Sequence, residues 1–267
     1  VKSFDTTDYA TAAQGTLAAN ALPKAGGTIT GDLAIDGDTT LSAYNNTTAI
    51  TENAVDIFIY DTSKDSDGGA WRKRTQHTSW YNETLSTSTR GSRKEFPSVA
   101  VIVSTASKVT IYDGDTPDLS MWMVFNSASG TILRVASGLY SVSMLNGLLY
   151  MVSGHSGNYG LETVYFIKDR TQLVGSSIYD WANNLVSGRN ASGGLTNLGT
   201  TGAILNAALN DVAMTVLPNA PIDSTTGLPI PTIAVATSGG VCVIKDDGTV
   251  VDIKGSNATY DQADLVT

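Results

Sequence analysis

The chain has 267 residues, of which 42% are hydrophobic and only 15% are charged, well below the roughly 25% that is usual in soluble domains. Thr, Ser, Asn, Gly and Ala replace the missing charge, which favours short strands and tight turns over long surface helices. The net charge of −9 disfavours a nucleic-acid partner, because an acidic surface repels phosphate groups.

The single cysteine, Cys242, excludes an intrachain disulfide, and its apolar surroundings in Val241–Ile244 predict a small buried thiol. No apolar run approaches the roughly 20 residues of a membrane-spanning helix, so no membrane insertion is expected. Because the sequence starts with Val1 rather than Met, we interpret it as a fragment of a longer polypeptide.

Residues 1–50 are predicted to form a module of their own, a short helix followed by a strand. After an acidic N-cap, a weak apolar stripe recurs every four residues, at Tyr9, Ala13, Leu17 and Ala21. Pro23 and the glycines after it should end the helix, and residues 28–37 alternate as a strand does. A helix this short buries little apolar surface alone, so we expect it to pack against identical copies in a trimer.

The segment at residues 9–33 also carries a distinctive motif, Pro-Lys-Ala-Gly-Gly-Thr-Ile-Thr-Gly, at positions 23–31. It resembles the stalk repeat of bacteriophage tail fibre proteins of the marine or cyanobacterial phage type. The stretch from Val55 to Asn126 is similar to segments of structural proteins of marine phages. The resemblance implies a homotrimeric, non-enzymatic virion component, located in the tail and bound to other phage tail proteins. Its implied function is to link the tail to the host-recognition tip and to contribute to host attachment.

Residues 51–267 are predicted to form one β-rich body, in which apolar strands are separated by turns. The predicted strands in chain order are Val55–Tyr60, Val99–Val103, Val109–Tyr112, Met121–Phe125, Ile132–Ala136, Tyr140–Leu145, Leu148–Val152, Thr163–Ile167, Val212–Leu217, Thr232–Ala236, Val241–Ile244 and Thr249–Ile253. They fall into three sets spaced by multiples of roughly 40 to 50 residues, with up to four strands in each set. That period is typical of β-propeller blades. We therefore predict a propeller-like body, incomplete in this fragment; another kind of β-sandwich is the alternative.

One acidic loop is a candidate calcium site. Asp61, Ser63, Asp65 and Asp67 present oxygen atoms at alternate positions ahead of two glycines, as calcium-binding loops do. The loop is not an EF-hand, because Ser66 stands where that motif needs Gly. A turn capped by its own Asp side chains is the competing interpretation, and it needs no metal. No other cofactor is expected.

Aromatic residues are the candidates for receptor or subunit contacts. Trp80 and Tyr81 lie among polar Thr, Ser and Asn residues, so they are predicted to be at the surface, whereas Trp122 is predicted to be core. Packing between subunits is favoured over stacking on a host surface glycan. The basic residues Arg72–Arg74, Arg90, Arg93 and Lys94 are interpreted as solvated strand ends and loops, with contact to an acidic neighbour as the alternative.

Two other functions stay open at this point. A carbohydrate-binding or carbohydrate-cleaving receptor module could use exposed aromatics and a pair of carboxylates. An internal nozzle component of the tail would never meet the host. The chain has only two histidines, His77 and His155, and no Gly-x-Ser-x-Gly elbow, so we predict no enzymatic activity.

Overall fold

Antiparallel strands dominate the computed structural model of this protein. It describes residues 53–128, 131–133, 138–153, 159–181, 184–200, 204, 208–254, 263–264 and 266. All of them belong to one compact unit that spans Asn46–Thr267. The prediction of a mainly β body is confirmed. The predicted helix and stalk strand of residues 1–50 lie outside the described residues. Within the described residues, no helix is long and apolar enough to cross a membrane.

The strands form three sheets, each a succession of neighbouring antiparallel strands. Sheet 1 contains β1 (Ala54–Asp61), β2 (Val99–Thr105), β3 (Lys108–Asp113) and β4 (Met121–Asn126). Sheet 2 contains β5 (Leu139–Leu145), β6 (Leu148–Ser153), β7 (Tyr159–Tyr165), β8 (Arg170–Gly175), β9 (Ile178–Trp181) and β10 (Leu195–Gly199). Sheet 3 contains β11 (Leu209–Thr215), β12 (Thr232–Thr237), β13 (Gly240–Ile244) and β14 (Val250–Ile253). Within each sheet, hydrogen-bonded neighbours are also neighbours in the chain.

Eleven of the twelve predicted strands overlap a strand of the structure. The strand predicted at Ile132–Ala136 is wrong at Ile132 and Leu133, which lie in a bend, and its other residues are not described. Both side chains are fully buried, so their apolar character reflects burial in the core rather than strand pairing. The prediction also missed β8, β9 and β10: β8 begins with three polar residues, β9 has only four residues, and β10 is mostly exposed.

Sheet 2 lies between the other two sheets, and its strands β5 and β6 are buried on both faces, whereas β10 is mostly exposed. Its first face shares one apolar core with sheet 1, through Val142, Met144, Leu149 and Met151. Its second face shares a separate core with sheet 3, through Leu148, Tyr150, Val152 and Leu161. Strands that are buried on both sides are apolar at nearly every position, as β6 is.

Aromatic rings fill the core between sheets 1 and 2. The rings of Phe96 and Trp122 lie 4.7 Å apart, and those of Phe96 and Phe166 lie 5.1 Å apart, both in edge-to-face arrangements. Trp80 packs edge-to-face on Trp122 and on Phe166, at 5.5 and 5.6 Å. Such pairs add about 0.5–1.5 kcal/mol each beyond the area they bury. Between these two sheets the packing is therefore specific as well as apolar.

The turn after β3 is held by one carboxylate that links it to the segment before β2 and to the first residue of β2. Asp115 accepts hydrogen bonds from the backbone N–H of Ser98 and Val99 at 2.8 and 2.9 Å, and it pairs with Arg93 at 2.6 Å. Partial burial alone would raise the pKa of Asp115, but the hydrogen bonds from Ser98, Val99 and Arg93 outweigh it and lower the pKa to about 2.

This carboxylate should make the fold sensitive to acid. Because the pKa of Asp115 is lower in the folded than in the unfolded chain, its stabilisation is present above the unfolded value of 3.8 and is lost as pH falls towards about 2. Since the site is partly solvent-screened, we expect a loss of only about 1 kcal/mol. Urea unfolding between about pH 5 and pH 2 checks this. Asp115→Asn should flatten that part of the pH profile, and an unchanged profile would contradict the assignment.

Candidate functional site

The residues of the predicted calcium loop have separate partners within the protein. Asp61 accepts hydrogen bonds from the backbone N–H and the hydroxyl of Ser63, at 3.0 and 2.7 Å. Asp67 accepts from the backbone N–H of Gly69 at 3.1 Å and forms an ion pair with Arg74 at 2.8 Å. These contacts are those of a turn capped by its own Asp side chains.

Asp65, the buried member of this loop, is the centre of a hydrogen-bond network. Its Oδ2 accepts from the Tyr60 hydroxyl at 2.5 Å and from Trp71 Nε1 at 2.7 Å, and its Oδ1 accepts from the backbone N–H of Asn146 at 2.8 Å. Burial raises the pKa of Asp65, although these three hydrogen bonds oppose the shift. The pKa of Tyr60 is also raised, first by burial and then by the nearby Asp65 carboxylate. Asp65 therefore fastens β1 to the β5–β6 turn.

Calcium should not stabilise this loop. In the part of the chain that the structure describes, no group of three His, Cys, Asp or Glu side chains is placed to hold a metal ion. An ion bound to Asp65 would have to displace the Trp71 Nε1–H and the Tyr60 hydroxyl from its carboxylate. These two buried donors would then have no acceptor there. We expect the melting temperature to be the same in millimolar calcium and in EDTA. A calcium-dependent rise that Asp61→Asn abolishes would restore the calcium site.

The prediction that Trp80 lies at the surface is wrong. Its side chain is 0% exposed, and its Nε1 donates a hydrogen bond to the backbone carbonyl of Phe166 at 2.8 Å. Tyr81 is half-buried, with its ring 6.0 Å from that of Trp80 and under the Lys94 ammonium. The other three tryptophans, Trp71, Trp122 and Trp181, are buried as well. None of the four can therefore stack on a ligand without opening the core.

The structure instead exposes an aliphatic ridge on β1, which the sequence analysis did not single out. Val55, Ile57 and Ile59 alternate along the strand and are 48%, 55% and 67% exposed. The opposite side of the same strand carries Phe58 and Tyr60, which pack into the core shared with sheet 2. A strand that is apolar on both faces signals burial on both sides. The amino-acid sequence of residues 55–60 carries this signal, because both faces of the strand hold apolar residues.

A β-bulge at the same place in each sheet relates the ridge to the rest of the body. The pairing of the first and second strands shifts by one residue between Ala54 and Asp56, between Leu139 and Ser141, and between Leu209 and Asp211. Counting from the bulge, the first strands of the three sheets can be aligned residue by residue. In that alignment Ile57 and Ile59 correspond to Val142 and Met144 of sheet 2, and to Val212 and Met214 of sheet 3.

The aligned positions have different surroundings in the three sheets. Val142 and Met144 are buried against sheet 1, and Val212 is buried against sheet 2 with Met214 packed beside it. Sheet 1 has an equivalent apolar face, but its ridge is open to solvent. Val101 of β2, which pairs with Ile59, is half-buried, and Val103, which pairs with Ile57, is already covered. The uncovered part of this face is thus the ridge on β1 and its immediate border.

Sheet 3 leaves its opposite face uncovered. Val251 and Ile253 of β14 are 45% and 59% exposed, and they pair across the strands with the half-buried Val243 and Val241 of β13. We call these four valine and isoleucine residues the β13–β14 patch. The other face of the same strands carries Cys242, whose burial was predicted, and it faces sheet 2. Each of the two outer sheets therefore carries one aliphatic surface that no other described sheet covers.

A cleft of about 370 Å³ opens between sheets 2 and 3. Its apolar lining includes Ile167, Leu228 and Ile244, and one ion pair joins Lys168 Nζ to Asp223 Oδ2 at 2.5 Å. Partial burial alone would raise the pKa of Asp223. The hydrogen bonds that Asp223 accepts, first from Lys168, outweigh burial and lower this pKa. A concave apolar surface with a few fixed polar groups is the usual form of a small-molecule site.

Comparison with known proteins adds no relative. No family model, curated protein or solved structure matches the chain. Among the histidines, His77 is exposed and His155 lies outside the described residues. Among the described residues, the candidate surfaces for function include the ridge on β1, the β13–β14 patch and the cleft.

Proposed function

We propose that this chain is a structural, non-enzymatic component of a phage tail fibre, in which a stalk module precedes a propeller-like β-body. It would assemble as a homotrimer in the virion tail, contact other tail proteins, and link the tail to the host-recognition tip during attachment. The stalk motif at residues 9–33 supports the family. The repeated geometry of the three sheets supports the propeller-like body, and it is the observation that carries the proposal.

The contacts between the first strands of the three sheets support the propeller-like body. β5 contacts both β1 and β11, and the three strands line an open hollow of about 440 Å³. Hydrogen bonds link them next to the bulges: the Val142 N–H donates to Asp56 Oδ2 at 2.9 Å, and the Ser141 hydroxyl donates to Asp211 Oδ1 at 2.5 Å. In propellers, four-stranded sheets are arranged around a central channel; sheets 1 and 3 have four strands, and sheet 2 has six.

The hairpin between the second and third strands is repeated as well. The Thr105 hydroxyl donates to the Lys108 carbonyl at 3.2 Å, and the Thr237 hydroxyl donates to the Gly240 carbonyl at 2.9 Å. The same two hydroxyls accept hydrogen bonds from the backbone N–H groups of Ser107 and Gly239. Bulge and hairpin thus recur at equivalent places in sheets 1 and 3, as expected for repeated blades of one architecture.

Stiffness is the physical property that a fibre component needs. The two cores and the aromatic cluster give the body close-packed sheets rather than loose layers. Such interiors have low compressibility and transmit strain. A body of this kind would transmit force between the tail and the host without a moving part.

Electron microscopy of intact virions with antibody against residues 51–267 tests the proposal. Label along peripheral fibres would support it and would show the distance of this body from the tail. Label on the central axis would favour an internal nozzle component instead. Virions without label would remove the phage assignment and favour a cellular adhesin.

Carbohydrate binding is the second candidate, and the cleft between sheets 2 and 3 is the observation that favours it. Lys168 and Asp223 offer a donor and an acceptor beside an apolar wall, the combination that sugar hydroxyls and ring faces require. A glycan array with the full chain, followed by Lys168→Ala, would identify such a site. Binding that survives Lys168→Ala would place the glycan elsewhere.

A further inference from the structure

We propose that the ridge on β1 binds the β13–β14 patch of a second copy of this chain. The contact is heterologous, because two different surfaces meet, one from each copy. The proposal adds a specific contact to the homo-oligomer proposed above, and it does not depend on the location of the protein in a virion. Its basis is the packing of the three sheets within one chain.

The ridge has the same character as two faces that are already in use. Aligned from the bulges, the positions of Ile57 and Ile59 are aliphatic or Met in all three sheets, and in sheets 2 and 3 they pack against the sheet before them. The chain thus uses this position for sheet-to-sheet packing twice. At 55% and 67% exposure, Ile57 and Ile59 have the side chains for a third such contact, but none of the three described sheets packs against them.

The surface that packs onto such a face is known from the same structure. Sheet 1 presents its second face to sheet 2, and sheet 2 presents its second face to sheet 3. The corresponding second face of sheet 3 carries the β13–β14 patch, with Val251 and Ile253 exposed. The ridge therefore needs a second face from another sheet, and each copy of the chain offers one.

The chemistry of the two surfaces is complementary in the same way as in the internal interfaces. Both consist of valine and isoleucine, whose β-branched side chains pack well between sheets. Burying them together removes apolar area from water on both sides, worth roughly 25 cal/mol per Å². A charged or polar partner would not bury this apolar area. The β13–β14 patch of a second copy would, and we therefore assign a second copy as the partner.

A heterologous contact closes into a ring when the rotation between copies permits it. Two copies would bring six sheets together, within the range of roughly four to eight blades that propellers use. Three copies would bring nine sheets together, one more than that range, and would match the homotrimer implied by the stalk resemblance. In both cases every ridge meets a patch, so the contact is the same.

Cysteine cross-linking of the full chain tests the contact. Ile59→Cys and Val251→Cys are combined in one chain and treated with a short bis-maleimide reagent, then analysed on a denaturing gel. Each surface needs the other, so we expect covalent multimers from the double variant and none from either single variant. The native thiol should not interfere, because burial and the neighbouring Asp252 raise the pKa of Cys242 to about 12.

A matched control pairs Ile59→Cys with Ser192→Cys, an exposed position in the loop before β10. Multimers from this pair to the same extent would overturn the proposal, because assembly through another module would then suffice. Monomeric product, including an internal link between residues 59 and 251, would also overturn it. Substitution at solvent-exposed positions should leave the core intact, and circular dichroism of each variant checks this.

A charge substitution gives a second measurement in the same cross-linking assay. Ile57→Asp with Ile59→Asp should abolish the linking of Val251→Cys to a cysteine placed at Val55, because it puts two carboxylates into an apolar contact. Ser192→Asp is the control, because it adds a carboxylate at an exposed position away from the ridge. Cross-linking that persists in the Ile57→Asp, Ile59→Asp chain would contradict a contact through the ridge. Failure of this contact would leave the virion-labelling result unaffected, so the two proposals fail separately.

Discussion

Replacing Trp80 by alanine is expected to lower the free energy of unfolding by about 4 kcal/mol, within the range for buried Phe and Trp truncations. The side chain is 0% exposed and packs on Trp122 and Phe166 at 5.5 and 5.6 Å. Truncation removes both ring contacts and leaves a cavity between sheets 1 and 2. It also leaves the Phe166 carbonyl without the donor at 2.8 Å. Urea unfolding of the full chain, followed by circular dichroism, measures the loss.

Tyr81→Ala is the matched control, because Tyr81 is the next residue along the chain and only half-buried. Its ring touches the cluster from one side, so we expect a loss of about 1 kcal/mol. Trp80→Phe should fall between the two, since it keeps apolar volume but loses the hydrogen bond. Equal losses for Trp80→Ala and Tyr81→Ala would mean that Trp80 is not the buried member of the pair.

The error over Trp80 has a physical cause in its polar neighbours. Thr75 and Thr78 are buried beside it, although polar residues are ordinarily exposed. The Thr75 hydroxyl donates to the Arg72 carbonyl at 2.7 Å, and the Thr78 hydroxyl donates to the Thr75 carbonyl at 2.6 Å. Hydroxyls satisfied within three residues can be buried cheaply. Local composition therefore gives the wrong exposure for a residue when its polar neighbours donate hydrogen bonds to backbone carbonyls of the same turn.

Strand positions were predictable because alternation and β-branched runs are local. The stretch at residues 55–60 and the second strand of sheet 3 were both recovered from such runs. β9 and β10 were not, because β9 has only four residues, β10 is mostly exposed, and their pairing with neighbouring strands places them in sheet 2. The order of the sheets depends on contacts between distant residues, which no local pattern contains.

The candidate surfaces show the same division. The letters of β1 carry the signal for two buried faces, but only the structure shows that one of them is uncovered. The equivalence between Ile57 and Val142 depends on bulges in the pairing, which leave no residue signature in the sequence. The acidic loop illustrates the opposite case. Its spacing predicts a cation site, whereas Asp65 is committed to Trp71 and Tyr60 through hydrogen bonds.

The basic residues interpreted as solvated include one that is buried. Arg90 is 1% exposed, with its guanidinium 4.4 Å from the Trp122 ring centroid and donating to the Trp122 carbonyl at 2.9 Å. Arg189, about a hundred residues later, is also buried and donates to the Val124 carbonyl. A sequence of letters cannot show that two arginines so far apart share one anion. That anion is Glu83.

Replacing Glu83 by glutamine is expected to lower the free energy of unfolding by about 4 kcal/mol, because removing one partner of a buried ion pair leaves the other charge uncompensated. Glu83 Oε1 lies 2.5 Å from Arg189 Nη1, and its Oε2 lies 3.4 Å from Arg90 Nε. Burial already lowers the pKa of Arg90 to about 10, and the Glu83 carboxylate opposes that shift. Without this carboxylate, two buried guanidinium groups would repel each other.

Glu95→Gln provides the control, since Glu95 pairs with Arg72 at 3.8 Å and its side chain is 36% exposed. Solvated pairs of this kind contribute about 0–1 kcal/mol, so the control should unfold almost as the parent does. Salt should separate the two sites further, because screening reaches the exposed pair and hardly the buried one. If Glu83→Gln cost no more than Glu95→Gln, the ion pairs of Glu83 with Arg90 and Arg189 would not hold the segment before β2 to the loop before β10. The body would then lack one of the main contacts that make it rigid.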